Sequence, residues 1–144
     1  MIYQVNADIS ASSAPKTADT GMKLGNLEFY TSLEQAAQLA SDNNKMLFVY
    51  LRSETCGWCK KFESESFRDD NITSLLSKNF ILLTIDIYKQ KDIATEMGVR
   101  GTPNSIFYDA SGKEILRIPG YVDKVTFLQD IQKLTDGTPL HLQI

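Results

Sequence analysis

The chain has 144 residues, of which 42% are hydrophobic, and a formal net charge of −3. That length and apolar content suit one domain with a real core, and the acidic balance, with no basic stripe to neutralise phosphates, excludes nucleic acid as a partner. No run approaches the roughly 20 apolar residues of a membrane helix, so a soluble chain is expected, and both cysteines fall within one short motif, which excludes a structural disulfide framework.

Residues 1–25 read as a flexible leader or linker, because 5–25 are rich in Ala, Ser, Thr, Asn, Asp and Gly. Such a stretch commonly follows a removed signal peptide or a lipid anchor, although Met1-Ile2-Tyr3 carries neither the basic nor the apolar region of a signal. A domain is expected over 26–136, followed by a loose tail at 137–144.

Leu27-Glu28-Phe29-Tyr30 predicts a short first strand. Thr31 or Ser32 offers an N-cap to a helix in which Leu33, Ala36, Ala37 and Ala40 recur at helical spacing. Met46-Leu47-Phe48-Val49-Tyr50-Leu51 reads as a buried strand, and Arg52-Ser53-Glu54-Thr55 as a polar turn after it. A helix follows to about Arg68, with Phe62 and Phe67 as a core pair.

This strand-turn-helix order puts Cys56 at or just before a first helical turn, where unpaired N–H groups and the helix dipole favour an anionic sulfur. Cys56 is therefore the expected nucleophile. Cys59, one turn further in and more buried, shares a face with it and serves as the resolving thiol. Trp58 reads as part of an apolar docking surface and Tyr50 as a core strand residue. Lys60 would favour the thiolate, while Glu54 and Glu63 oppose it, so the acidity of Cys56 is only modestly raised, which points to a reductant.

Asp69-Asp70-Asn71 punctuates, and Ile72, Leu75, Leu76 and Phe80 suggest a second helix. The near-continuous apolar run 80–87 predicts a central strand covered on both faces. Ile93, Ala94 and Met97 suggest another helix stopped by Gly98. After Val99-Arg100-Gly101-Thr102-Pro103-Asn104 come a strand at 105–108, turn chemistry at 109–112 and a hairpin partner at 114–118. Asp123 caps a last helix with Val125, Leu128, Ile131 and Leu134 as its stripe. The element order implies an α/β fold with a central mixed sheet and helices on both faces.

From about 27 to 135 the chain resembles the thioredoxin superfamily. Cys56-Gly57-Trp58-Cys59-Lys60 is similar to its active-site motif, and Val99-Arg100-Gly101-Thr102-Pro103 to its cis-proline loop. The resemblance implies the thioredoxin fold, no cofactor, and a substrate segment lying along Thr102 and Pro103. Lys60-Lys61-Phe62-Glu63 and the Gly120-Tyr121 turn are most similar to a periplasmic branch that includes the carboxy-terminal domain of DsbD and SoxW-like thioredoxins. That branch implies a monomeric, extracytoplasmic reductase of protein disulfides, fed by a membrane thiol donor of the DsbD or CcdA type. One departure is Tyr50, which stands where the family carries a buried Asp for proton transfer; Glu63 matches a second acid of the DsbD domain.

Three other readings compete with a reductase. A copper(I) carrier would use the two thiolates, a disulfide oxidant or isomerase would share the fold, and a binding module would recognise an extended segment without turnover. Zinc and haem fit poorly, because the lone His141 lies in the tail and Lys60 replaces the histidine of a haem-attachment motif.

Overall fold

The computed structural model describes residues 21–136. Most of the expected leader, the tail and His141 lie outside the described residues.

The fold is built around Met46–Arg52 (β3), whose aromatic and β-branched residues suit a strand buried on both faces. It pairs in parallel with Phe80–Asp86 (β4) and antiparallel with Asn104–Tyr108 (β5), which pairs in turn with Glu114–Pro119 (β6). The resulting mixed sheet has the order β4-β3-β5-β6. The helices are Leu33–Asp42 (α1), Gly57–Ser66 (α2), Asp70–Asn79 (α3), Lys91–Glu96 (α4) and Lys124–Thr135 (α5). Among the described residues no helix is long and apolar enough to cross a membrane.

Strand alternation gives β3 two unlike faces. Phe48 and Tyr50 enter an aromatic core with Phe62 of α2, Leu76 of α3 and Phe127 of α5. Leu47, Val49 and Leu51 enter an aliphatic core with Ala36 and Ala40 of α1 and Ala94 of α4. Three helices therefore cover one face and two the other, as the apolar pattern of the sequence implies.

The sequence offers Asp123 as a cap and Ser32 as one of two candidates, and the structure adds Asp69. Ser32, Asp69 and Asp123 accept the N–H groups of Gln35, Ile72 and Thr126 at 3.2, 3.0 and 2.9 Å. Two expectations need correction. Phe80 begins β4 instead of extending α3, and Val125 is 61% exposed, its place in the stripe taken by Phe127. With Asp123 as N-cap, Phe127 is the first position of α5 that comes round to the aromatic core, and Val125 faces solvent.

Ordered structure also begins ahead of residue 26. Met22–Leu24 (β1) pairs with Leu27–Phe29 (β2), and Leu24 is buried in the aromatic core. Tyr30 extends this hairpin to the outer edge of β4, donating to Leu82 O at 2.7 Å and accepting from Thr84 N at 2.9 Å. The β1–β2 turn presses on the end of α2: Asn26 N donates to Phe67 O at 2.8 Å, and a Cβ on Gly25 would lie 2.4 Å from that same oxygen. Gly25 also has φ +60°, where side chains are strained. Gly25→Ala is expected to lower stability by about 2–3 kcal/mol, read as a shifted urea midpoint at unchanged slope. An unchanged midpoint would show that the hairpin can lift off Phe67 at no cost.

Candidate active site

The end of β3 and the start of α2 form the site. Ser53 is buried, Glu54 and Thr55 turn the chain at the surface, and Cys56 is the N-cap of α2 with extended backbone (φ −88°, ψ 107°). Its sulfur accepts the N–H of Cys59 at 3.0 Å and is joined to Cys59 in a disulfide, with Cα atoms 5.2 Å apart. Cys59 is fully buried and Cys56 is partly exposed. Only Cys56 can therefore be reached from solution, and once reduced it lies on the N–H groups and positive dipole end of α2, which favour its thiolate. Gly57 is exposed, and a Cβ there would meet nothing within 4 Å, so the surface beside the disulfide is open.

Behind the disulfide is a buried polar network. Arg52 ends β3 and is only 5% exposed, which corrects its assignment to a polar turn. It shares the strand face of Tyr50, two residues earlier, and so points at α2. Its Nε donates to Glu63 Oε2 at 2.7 Å, its Nη2 approaches Glu63 Oε1 at 3.4 Å, and its Nη1 donates to Glu54 Oε2 at 2.9 Å. The Tyr50 hydroxyl donates to Glu63 Oε2 at 2.9 Å and lies 3.4 Å from Cys59 O. Burial first, then the charge of Glu63, pushes Tyr50 far above the usual tyrosine range, so it stays a donor. Burial alone would lower Arg52, but its hydrogen bonds and charge pairing with Glu63 and Glu54 outweigh that and raise it.

At the surface, Trp58 is 60% exposed and its ring lies 5.2 Å from that of Tyr121. The Tyr121 hydroxyl donates to Glu65, which also pairs with Lys61 at 2.9 Å, and the Lys61 ammonium lies 5.7 Å from the centre of the Tyr121 ring. The bond to Glu65 raises Tyr121, and that same bond, followed by Lys61, lowers Glu65. Lys60 is exposed.

The Thr102–Pro103 peptide is cis. Because Asn104 pairs with Leu51, this loop lies at the same end of the sheet as the cysteines. Pro103 O accepts Gly120 N at 2.9 Å, which ties the loop to the turn carrying Tyr121. The fold thus gathers Cys56, Gly57, Trp58, Cys59, Thr102 and Pro103 at one end, with Glu63 beneath. Neither Arg52, read as part of a polar turn, nor Tyr121, noted in the Gly120-Tyr121 turn, is expected at the site from the sequence. The trace of Arg52 is its even spacing from Tyr50, and that of Tyr121 is the turn in which the chain resembles the periplasmic branch.

Residues 33–135 match a thioredoxin-like domain family. The chain belongs to the thioredoxin-like family. Within it, 110 residues, 73% of the chain, are 33% identical to the thiol:disulfide interchange protein DsbD of Photorhabdus laumondii. A further match, 30% over 122 residues, is to DsbD of Yersinia pestis. The matched segments make up 19% and 20% of those proteins, so the chain spans about a fifth of their length. Among solved structures, a thioredoxin from Thermus thermophilus superposes with a TM-score of 0.65 at 23% identity, over 72% of this chain and 84% of that one. A DsbH oxidoreductase gives 0.63 at 14% identity, over 92% and 96%. These two likenesses establish the fold. A CXXC pair at this place in a thioredoxin-like domain is consistent with thiol–disulfide oxidoreductase chemistry.

Proposed function

We propose that the chain reduces protein disulfides, with Cys56 as nucleophile and Cys59 as resolving thiol. The observation that carries this reading is a partly exposed cysteine at a helix N-cap with a fully buried partner one turn behind it. The Cys56 thiolate attacks one substrate sulfur, the substrate S–S bond breaks, and the leaving sulfur takes the electron pair and a proton. Cys59 then gives its proton to Glu63 and attacks the Cys56 sulfur. The mixed disulfide breaks, the second substrate sulfur leaves as a thiol, and the two electrons have passed from the Cys56–Cys59 pair to the substrate.

Direction follows from charge. Gly57 and Trp58 supply no cation between the cysteines, and Arg52, a buried cation behind them, is shared by two carboxylates. The thiolate is stabilised chiefly by the helix terminus, which is weaker than the stabilisation a strong oxidant needs. The exposed face of Trp58 and Tyr121, next to Thr102 and Pro103, suits an extended apolar segment flanking a substrate cysteine, added as a short strand at Thr102. The likeness to DsbD supports a periplasmic setting and reduction of the Cys56–Cys59 disulfide by a membrane thiol donor of that type.

Cys59→Ser is expected to trap the first intermediate. Incubated with insulin, it should accumulate a covalent insulin-chain adduct at least about tenfold above the native chain, removed by dithiothreitol and read by mass spectrometry. Absence of the adduct would rule out the proposed exchange. Equilibration of the native chain against thiol buffers gives the direction: a potential near about −270 mV supports a reductant, and one above about −180 mV an oxidant or isomerase.

A further inference from the structure

The sheet order β4-β3-β5-β6 sets what borders Cys56 on each side. At the end of the sheet where the cysteines lie, β3 leads to Cys56, and β5 on one side of it brings in Thr102 and Pro103. On the other side stands the loop that follows β4. Asp86 is opposite Arg52 in register, and Ile87 N donates to Arg52 O at 3.0 Å, so residues 87–90 leave the sheet beside the turn that carries Cys56. A substrate segment along Thr102 does not use this side.

The loop is held fixed by its own polar groups. Asp86 Oδ1 accepts the N–H groups of Tyr88 and Lys89 at 2.9 and 3.1 Å. Gln90 N donates to Asp86 O at 2.7 Å, Gln90 Oε1 accepts Asp86 N at 3.2 Å, and Gln90 Nε2 donates to Thr31 O at 2.9 Å. What this bonding presents to solvent is an aromatic ring, for Tyr88 is 66% exposed. Trp58, Tyr88 and Val125 are the exposed large apolar side chains among the described residues, and all three stand at the cysteine end, Trp58 in the first turn of α2 and Val125 in that of α5. A loop that only turned the chain would need small polar residues there.

Tyr88 lines an open hollow of about 430 Å³ together with Lys89, Gln90, Lys91, Asp92 and Ile93. Among the described residues neither lysine makes an ion pair. The neighbouring carboxylates are engaged elsewhere, Asp86 by the loop N–H groups and Glu54 by Arg52. Two lysines against one carboxylate, Asp92, leave the hollow positive on a chain whose net charge is −3.

We infer that residues 88–91 form a second docking element, which takes an acidic segment of the protein partner: an apolar side chain rests on Tyr88, and carboxylates pair with Lys89 and Lys91. The inference rests on the reading of Cys56 and Cys59 as an exchanging dithiol and narrows its substrates. A single strand along Thr102 lies across Cys56 from this loop, so the partner is one that presents two segments around its disulfide. Because the loop is already fixed, docking orders the partner's side chains alone, and its exposed charges act mainly on encounter and orientation.

The test uses probes made of two peptides joined by one disulfide, an invariant apolar peptide and an arm in which Leu alternates with Glu, Ser or Lys. Single-turnover reduction by the reduced chain is read from a fluorophore and quencher on the two peptides. Each rate is divided by that for 2-hydroxyethyl disulfide on the same variant. The native chain should reduce the Glu arm about fivefold faster than the Lys arm at about 20 mM ionic strength, and less than about twofold faster in about 0.5 M sodium chloride. Lys89→Glu with Lys91→Glu should reverse the order, and Tyr88→Ala should slow the Glu arm about threefold. Lys78→Glu with Lys113→Glu makes the same charge change at the far end of the sheet and should keep the Glu arm ahead. All of these side chains are exposed, so the variants keep the fold. The inference is overturned by equal native rates on the three arms, by a Glu preference that survives the Lys89 and Lys91 reversal or vanishes in the far-end variant, or by a Tyr88→Ala chain that matches the native one. A native chain that reduces no disulfide, 2-hydroxyethyl disulfide included, would instead remove the dithiol reading, and this inference with it.

Discussion

Cys56→Ser is expected to lower disulfide reduction by at least about a thousandfold while leaving the fold intact. The two halves of that expectation have separate causes. Chemically, a serine hydroxyl at the α2 N-terminus stays protonated at neutral pH, and no base touching it is in place: Glu63 is one turn beyond the buried Cys59 and already bound to Arg52 and Tyr50. Structurally, serine is among the best N-caps, and its oxygen can accept the Cys59 N–H that the sulfur now accepts at 3.0 Å. The loop closed by the native disulfide is so short that losing it costs little unfolded-state entropy. Dithiothreitol-driven insulin reduction measures the first half and far-UV circular dichroism the second. Activity above about a tenth of native would mean that Cys56 is not the attacking sulfur.

Phe48→Ala is expected to cost about 4 kcal/mol, close to the upper end for an aromatic truncated in a core. Phe48 has no exposed surface and sits in the middle of the central strand. Its ring stacks on Phe107 with centroids 4.6 Å apart and planes 8° from parallel, and also meets Phe29, Phe67 and Phe127 at 6.1–6.2 Å. Those rings belong to four different segments of chain, so none can move into the void without leaving another partner. For a domain of this size the loss corresponds to a melting temperature roughly 15 °C lower. A cost under about 1.5 kcal/mol would show that the aromatic cluster collapses to refill the space. The site lies on the same sheet, so Phe48→Ala should also reduce the fraction of active protein near the melting point while leaving the redox potential of the folded fraction unchanged.

The elements that the sequence reveals are those with strong periodicity or strong caps. The run 46–51 and the cap Asp123 could be placed, and the cap at Ser32 narrowed to two residues, because each depends on local chemistry alone. The CGWC motif could be placed because two cysteines three apart after a buried strand have few other uses. What escaped depends on partners distant in sequence. Met22–Leu24 is three residues long and becomes a strand only because Leu24 finds the aromatic core and the turn after it finds Phe67. Arg52 is charged at the end of an apolar run, which reads as surface until Glu63, eleven residues on, is brought opposite it. Tyr50 is the core residue that the sequence implies, and its hydroxyl has a further partner for the same reason. Buried in the core, it also bridges β3 to the carboxylate of Glu63, thirteen residues on.

The sulfur of Cys56 both reacts and caps the helix it precedes. A thiolate is a far better acceptor than a thiol, so the Cys59 N–H bond at the head of α2 strengthens and weakens as the sulfur changes state. The first turn of α2 is therefore a record, kept in the backbone, of how many electrons the protein holds. It is firmest when the chain is charged and ready to give them away. It is weaker once the sulfur is bound to another sulfur, and release of the product leaves Cys56 in the disulfide to Cys59, where the Cys59 N–H bond still stands at 3.0 Å.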